Sequence, residues 1–160
     1  MFAKKAFAVG GGLAAAGLLA LSYLSVPETS AAADPAVRTE VIDLDVSNDQ
    51  FVLTDVGEPG VSIGDEYVFS DELYQGGRQV GDDGGACQVT HVEGQEITTN
   101  CVISVRLPDG QITAQTLWVR GTDSLMAITG GTGKYRTARG EVEATDVQTL
   151  NEKVRITIVL

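Results

Sequence analysis

The sequence is poor in the residue types that most often carry enzyme chemistry. Its 160 residues include one histidine, His91, and two cysteines, Cys87 and Cys101. Zinc sites take most of their three or four protein ligands from Cys and His, and a Ser-His-Asp triad would have to use His91. We interpret His91 as a surface residue of a strand. The sequence therefore implies no metal and no cofactor.

Positive charge is also scarce. The chain has 11 Lys and Arg residues against 22 Asp and Glu residues, a formal net charge of −11. Without residues 1–33, which hold Lys4, Lys5 and Glu28, the balance is 9 minus 21, or −12. A surface this acidic repels phosphate groups, which argues against nucleic acid and anionic membranes as partners.

Long apolar runs are absent except at the N-terminus. Lys4 and Lys5 precede an apolar stretch over 6–24, and the small residues 30–33 follow it. This order is typical of a secretory signal peptide. We predict a signal peptide over 1–33, cleaved after Ala33, and a secreted domain over 34–160 with no stable membrane partner. The stretch is long enough that an uncleaved membrane anchor remains the alternative.

Glycine is plentiful, and its densest cluster is the segment 130–140, Gly-Gly-Thr-Gly-Lys-Tyr-Arg-Thr-Ala-Arg-Gly. A phosphate-binding loop would need a glycine at Ile128 and a Ser or Thr at Tyr135. A dinucleotide fingerprint would need a glycine at Arg136. We therefore interpret these glycines as a structural turn that permits positive φ and close backbone approach.

Beyond the predicted signal peptide, the sequence shows no helical periodicity and instead alternates between apolar and polar residues. The segments 101–107, 112–119 and 154–160 alternate with many Val, Ile and Thr residues, as half-buried strands do. Turn signals separate such runs at 58–60, 76–77, 82–85, 108–110 and 130–131. About eight strands without helices predict an antiparallel barrel or a sandwich.

The two cysteines flank a predicted hairpin. If Gly94 is its apex, residues whose numbers sum to 188 face each other, and 87 plus 101 is 188. A cross-strand disulfide between Cys87 and Cys101 is then geometrically reasonable, and an oxidising compartment would preserve it. It would also remove Cys87 as a nucleophile.

Two motifs carry a family resemblance. The segment 130–140 resembles the signature turn of dirigent proteins. The run from Gly64 to Cys87, with Phe69, Leu73-Tyr74 and Arg78, resembles plant allene oxide cyclases. The resemblance covers roughly 60–145. It implies a single closed eight-stranded antiparallel β-barrel, without helices, that holds a small apolar ligand or substrate.

The resemblance also implies site residues. Asp71 stands where the cyclases have an asparagine that holds a water, and Trp118 stands near an aromatic wall position. Arg139 matches a dirigent arginine implicated in polarising the substrate. Tyr67, Phe69, Asp71 and Leu73 share one strand face, so an inward Asp71 would have a raised pKa and could transfer protons. We predict Asp71 and Arg139 as catalytic and Phe69 and Trp118 as ligand-binding; outward, solvated roles for Asp71 and Arg139 are the alternatives.

Three functions follow from these features. The first is a secreted cyclase or isomerase that steers a small apolar substrate. The second is a binding protein with the same cavity and no turnover. The third is a structural barrel filled by its own side chains, against which the Thr, Ser and Ala residues of the strands count. A homo-oligomer remains open.

Overall fold

A computed structural model describes residues 38–159. The predicted signal peptide over 1–33, and the alternative of an anchor there, lie outside the described residues. Between residues 38 and 159, no helix is long and apolar enough to cross a membrane.

Eight antiparallel strands form a closed barrel, as predicted. Each strand pairs with its sequence neighbours, and β1 also pairs with β8 to close the sheet. The only helical element in the described part is a short 3-10 turn, Gly133–Tyr135. The strands are β1 Thr39–Thr54, β2 Glu66–Gln75, β3 Arg78–Glu93, β4 Glu96–Leu107, β5 Gly110–Val119, β6 Ser124–Gly131, β7 Arg139–Thr145 and β8 Lys153–Val159.

Alternation along the strands sets which side chains face the barrel interior. In β4, Cys101, Val105 and Leu107 are buried, whereas Val102 and Arg106 are exposed. Strands β5 and β8 alternate in the same way. Outward charges on β1 and β8 form ion pairs, such as Arg155 with Asp43 at 2.6 Å. The period of two therefore identified these strands correctly.

The disulfide between Cys87 and Cys101 is present, with the two Cα atoms 4.1 Å apart. Pairs between β3 and β4 sum to 188 from Asp82 to Val89, as the hairpin prediction required. A bulge at Thr90 then shifts the register by one, so that Glu93 faces Glu96. The apex is consequently the two-residue turn 94–95 rather than Gly94 alone.

The glycine-rich segment is a structural turn that closes one end of the barrel. Gly133 has a φ of +58°, and a Cβ on it would lie 2.3 Å from the backbone oxygen of Asp109. Lys134 follows and donates to Glu40 of β1, with Nζ and Oε1 2.7 Å apart. The lysine that a phosphate site would need is thus already paired with a carboxylate.

The turn prediction for 82–85 was wrong. The segment 82–85, Asp-Asp-Gly-Gly, lies inside β3 and pairs with both β2 and β4. Its glycines serve packing rather than chain reversal, because a Cβ on Gly85 would lie 2.5 Å from Cζ of Phe69 on the neighbouring strand. Because Gly85 has no side chain, the Phe69 ring can pack directly against it.

The barrel has a closed end and an open end. At the closed end, inward side chains pack into a core with exposures of 7% or less: Leu44, Leu73, Leu107, Ile112, Tyr135, Ala138, Ile156 and Ile158. None of these residues lines the cavity described below, which occupies the open end.

Candidate active site

A cavity of about 440 Å³ occupies the open end of the barrel. Its walls are mostly apolar and come from every strand; they include Phe69, Ile103, Trp118, Met126 and Val142. A closed barrel of eight strands has room for one small ligand when its inward residues do not fill it. The filled-barrel interpretation is therefore wrong for this end of the molecule.

Two carboxyl groups face each other across β2 and β3. Asp71 and Asp83 are direct cross-strand partners, and the negative charge of Asp71 acts on the Asp83 carboxyl group. Leu73, two residues further along the same face of β2, belongs to the closed-end core, so the acids lie at the inner end of the cavity. Two carboxylates this close cannot both ionise without strong repulsion, so the pair shares a proton near neutral pH.

The pKa values of this pair follow from burial and mutual repulsion. Burial, followed by the negative charge of Asp71, raises the pKa of Asp83 to about 8. Burial also raises the pKa of Asp71, although hydrogen bonds from Asn48, Asp83 and the Asp49 amide oppose this. Asp71 is therefore the member that ionises first, and Asp83 keeps the proton. A proton acceptor and a proton donor thus lie side by side.

Asp83 also carries an unsatisfied atom. Its Oδ1 is buried and has no hydrogen-bond partner among the described residues. Buried polar atoms in native proteins nearly always have a partner. This oxygen gains a hydrogen-bond partner if it carries the carboxyl proton and donates it, or if a molecule bound in the cavity donates to it.

A third carboxyl group, Glu152, joins the pair through Asn48. The Asn48 amide donates to Asp71 Oδ1 at 3.0 Å and to Glu152 Oε2 at 3.4 Å. The backbone N–H of Gln148 also donates to Glu152, at 2.8 Å. Burial raises the pKa of Glu152 above its ordinary value.

The loop before β8, which leads to Glu152, has a strained backbone at two residues. Asp146 and Gln148 have φ values of +53° and +63°, and they are the only residues besides glycine with positive φ between 38 and 159. Such conformations cost free energy and concentrate at functional sites. Here the strain at Gln148 accompanies the N–H bond to the Glu152 carboxylate.

The mouth of the cavity is aromatic and carries one cation. Phe51 packs on Tyr67 with ring centroids 5.6 Å apart, and Cζ of Arg120 lies 5.4 Å from the centroid of the Tyr67 ring. Burial raises the pKa of Tyr67, so its hydroxyl stays protonated at neutral pH. All three residues line the cavity.

Most of the predicted site residues meet in this cavity, and one does not. Asp71, Phe69 and Trp118 line it, as do the disulfide residues Cys87 and Cys101. Arg139 is exposed and donates to the backbone oxygen of Ala138. This placement outside the cavity gives no support to a catalytic role for Arg139.

A hydrolase-like pattern in the chain has a structural role. Residues 60–64 read Gly-Val-Ser-Ile-Gly, the Gly-x-Ser-x-Gly pattern of nucleophile elbows. The structure places Ser62 in the loop between β1 and β2, where its hydroxyl bonds to Val56 O at 3.0 Å and to Asp65 Oδ1 at 3.2 Å. His91 lies on the outer surface near Glu93. The serine thus fixes the loop and has no histidine base.

Sequence reasoning missed Asp83, Glu152, Asn48 and Arg120. The alternation of β3 and of the start of β8 could have found the first two. Counting back from Cys87 in steps of two reaches Asp83, and one step back from Val154 reaches Glu152. Asn48 and Arg120 stand at a bulge and a strand end, where alternation gives no signal.

Comparison with known proteins places the chain in a family. Residues 40–160 match the family model described as the allene oxide cyclase barrel like domain. The protein therefore belongs to the family of allene oxide cyclase-like barrels. No curated protein matches the sequence.

Several solved structures are similar to this chain. A pyocyanin demethylase is 41% identical, covers 74% of this chain and 99% of its own, and superimposes with a TM-score of 0.72. An exo-specific intermolecular Diels-Alderase is 17% identical over 77% of this chain and 99% of its own, with a TM-score of 0.63. A pterocarpan synthase dirigent protein is 19% identical over 77% and 89%, with a TM-score of 0.57. The last two show a shared fold alone.

Proposed function

We propose that the protein is an enzyme that removes a methyl group from a ring nitrogen of a small, flat heteroaromatic molecule. The observation that carries this is the Asp71–Asp83 pair, a proton acceptor beside a proton donor at the inner end of an apolar cavity. The likeness to a pyocyanin demethylase, at 41% identity over 99% of that chain, supports the substrate class. Pyocyanin is a flat molecule of three fused rings with a methyl group on one ring nitrogen.

The pair can perform this reaction by acting first as a base and then as an acid. Asp71 takes a proton from the N-methyl group, and the C–H electron pair passes into the ring. A water molecule gives a proton to the opposite ring nitrogen, which leaves a reduced ring with an N=CH2 group and a hydroxide. The hydroxide adds to the CH2 carbon. Asp83 gives its proton to the nitrogen as the N–C bond breaks and regains the hydroxyl proton as formaldehyde leaves. Asp71 then releases its proton, which the product takes up. The ring itself accepts both electrons, and substrate plus water equals reduced, demethylated ring plus formaldehyde.

The proposal is tested with purified protein whose disulfide is intact, incubated with pyocyanin. We expect formaldehyde and demethylated ring to form in equal amounts, without an added oxidant. Saturable binding with no formaldehyde would contradict this function and favour the alternative of a binding protein. If the protein neither binds nor turns over pyocyanin, both the demethylase function and the binding function are contradicted.

A ring-closing cyclase is the second candidate. It is favoured by the apolar walls, where Phe69, Trp118 and Met126 could fold a flexible apolar substrate. A cyclase of this kind would act on acyclic epoxides or phenolic intermediates and release no formaldehyde. Chiral analysis of products from such substrates separates it from the demethylase.

We also propose that the mature domain is secreted. The disulfide between Cys87 and Cys101 supports this, since such bonds persist in oxidising compartments. Expression of the full chain with a C-terminal tag, followed by N-terminal sequencing of the extracellular fraction, tests it. A mature terminus at Asp34 is expected, and a product that remains in the cells with Met1 intact would contradict it.

A further inference from the structure

Arg120 gives the cavity a positive end opposite its acidic end. It is the only lysine or arginine among the described residues that line the cavity. It follows the last residue of β5, at the mouth, and its guanidinium lies over the Tyr67 ring. The inner end holds Asp71, Asp83 and Glu152. A molecule in this cavity therefore meets a cation at one end and carboxyl groups at the other.

The guanidinium of Arg120 is not engaged by an acid. Arg106, Lys134, Lys153 and Arg155 each pair with an Asp or Glu, whereas no carboxylate oxygen between residues 38 and 159 lies within 4.0 Å of Arg120. No side-chain hydrogen bond from Arg120 occurs in this part of the chain either. The Tyr67 face holds the group by cation–π attraction and leaves its N–H donors available.

The distance between the two ends suits a flat, multi-ring molecule. Tyr67, below Arg120, and Asp71 are four residues apart on the same face of β2. At the usual rise along a strand, their Cα atoms are about 13 Å apart. Three fused aromatic rings with one substituent can reach from the carboxyl groups to the guanidinium, and the apolar walls of Phe69 and Trp118 accept the ring faces.

We propose that Arg120 is a specificity-determining residue that binds an anionic oxygen on the substrate, so that the preferred substrates are flat heteroaromatic cations bearing an acidic oxygen. The proposal rests on the proposed function, because it places the cationic ring nitrogen at the acids. A guanidinium suits this role because its planar N–H groups form charge-assisted hydrogen bonds to an oxyanion while its face stacks on Tyr67.

The test compares two ligands that share the N-methylated ring system. Pyocyanin carries a ring oxygen that is anionic in its zwitterionic form, and the N-methylphenazinium cation lacks it. Calorimetric titration gives Kd for both ligands with the wild-type protein, Arg120→Gln, Arg120→Lys and the control Arg78→Gln. Arg78 is exposed at the start of β3, so its replacement makes the same charge change away from the cavity.

We expect Arg120→Gln to weaken pyocyanin binding by about tenfold or more, the loss of one charge-assisted hydrogen bond. Binding of N-methylphenazinium should stay the same or tighten, since a nearby positive charge is removed. Arg120→Lys should recover part of the loss, and Arg78→Gln should change neither Kd. Equal loss for both ligands, or no loss for either, would overturn the proposal.

The outcomes also separate this proposal from the proposed function. Arg120-dependent discrimination without formaldehyde formation would contradict the demethylase and retain the specificity role. Formaldehyde formation without discrimination between the two ligands would retain the demethylase and contradict the specificity role of Arg120. Circular dichroism of each variant shows whether a lost signal reflects loss of the fold.

Discussion

At the closed end of the barrel, inward positions carry Leu73, Ile112 and Ile156, whose side chains are fully buried. At the open end, the same strands carry Asp71, Trp118 and Val154 around a cavity. The strands and their period are common to both ends, so the fold does not distinguish them. What differs is whether inward side chains fill the interior or leave room and aim polar groups into it. The closed end can therefore stabilise a barrel whose open end holds acids that a packed core would reject.

Removing an open-end acid should change how stability depends on pH. The pKa of Asp83 is higher in the folded protein than in the unfolded chain, so folding favours its protonated form. Its contribution to stability is then greatest below about pH 4, falls as the pH rises to about 8, and stays low above that. Asp83→Asn should remove most of this fall, which is on the order of several kcal/mol because one pKa unit corresponds to about 1.36 kcal/mol.

Urea unfolding of both proteins from pH 4 to pH 9 measures this effect. Asp82→Asn is the matched control, because Asp82 faces outward and pairs with Arg106. The prediction fails if the Asp83 variant and the wild type keep parallel stability curves across that range.

Truncation at the closed end should reduce stability and leave the chemistry intact. Ile156→Ala removes a fully buried side chain and should cost about 2–5 kcal/mol. Phe69→Leu at the open end keeps most of the volume and should cost less than about 1.5 kcal/mol, yet weaken ligand binding. Thermal unfolding and ligand titration of both variants test the contrast. A Phe69 variant less stable than the Ile156 variant would contradict it.

The disulfide lies in the wall of the open end, and its loss should affect stability at that end. Replacing both Cys87 and Cys101 by Ala should cost roughly 3 kcal/mol, through the added freedom of the unfolded chain. Urea unfolding of the double variant beside the oxidised wild type gives the difference. A loss well under 1 kcal/mol would show that the β3–β4 pairing alone fixes this wall.

The smallest effect is expected at Gly85. In Gly85→Ala, the new methyl group would meet the Phe69 ring and push it toward the cavity. We expect a stability loss of about 1 kcal/mol and weaker binding of three-ring ligands than of single-ring ones. Gly84→Ala serves as the control, since a Cβ there meets only the Phe69 backbone oxygen at 3.3 Å. Equal effects on ligands of both sizes would show that Phe69 does not limit the cavity.

The sequence predicted the barrel well because alternation records burial on one face of each strand. The family resemblance, not alternation, selected Asp71, and the structure shows that it lies inward on the face of Tyr67, Phe69 and Leu73. Alternation did not give Asp83, because the local composition Asp-Asp-Gly-Gly indicates a turn, and only pairing with both neighbouring strands makes it a strand. At residues 82–85 the local sequence favours a turn, whereas pairing with the neighbouring strands makes the segment part of a strand. This conflict occurs at the site itself.

The rest of the site depends on contacts between distant segments. Glu152 reaches the cavity through a loop strained at Gln148, and Arg120 is placed by stacking on Tyr67 from another strand. Neither contact leaves a periodic pattern. Arg139 shows the converse: a motif resemblance selected it, yet its strand phase directs it outward between Ala138 and Gly140.

The most direct test of the proton-transfer account is single-turnover demethylation of pyocyanin by the wild type, Asp71→Asn, Asp83→Asn and the control Asp82→Asn. We predict that each cavity variant loses about 100-fold or more in rate, the usual contribution of a positioned acid or base, while the control keeps the wild-type rate. Turnover at the wild-type rate by both folded cavity variants would contradict the assignment of chemistry to this carboxyl pair.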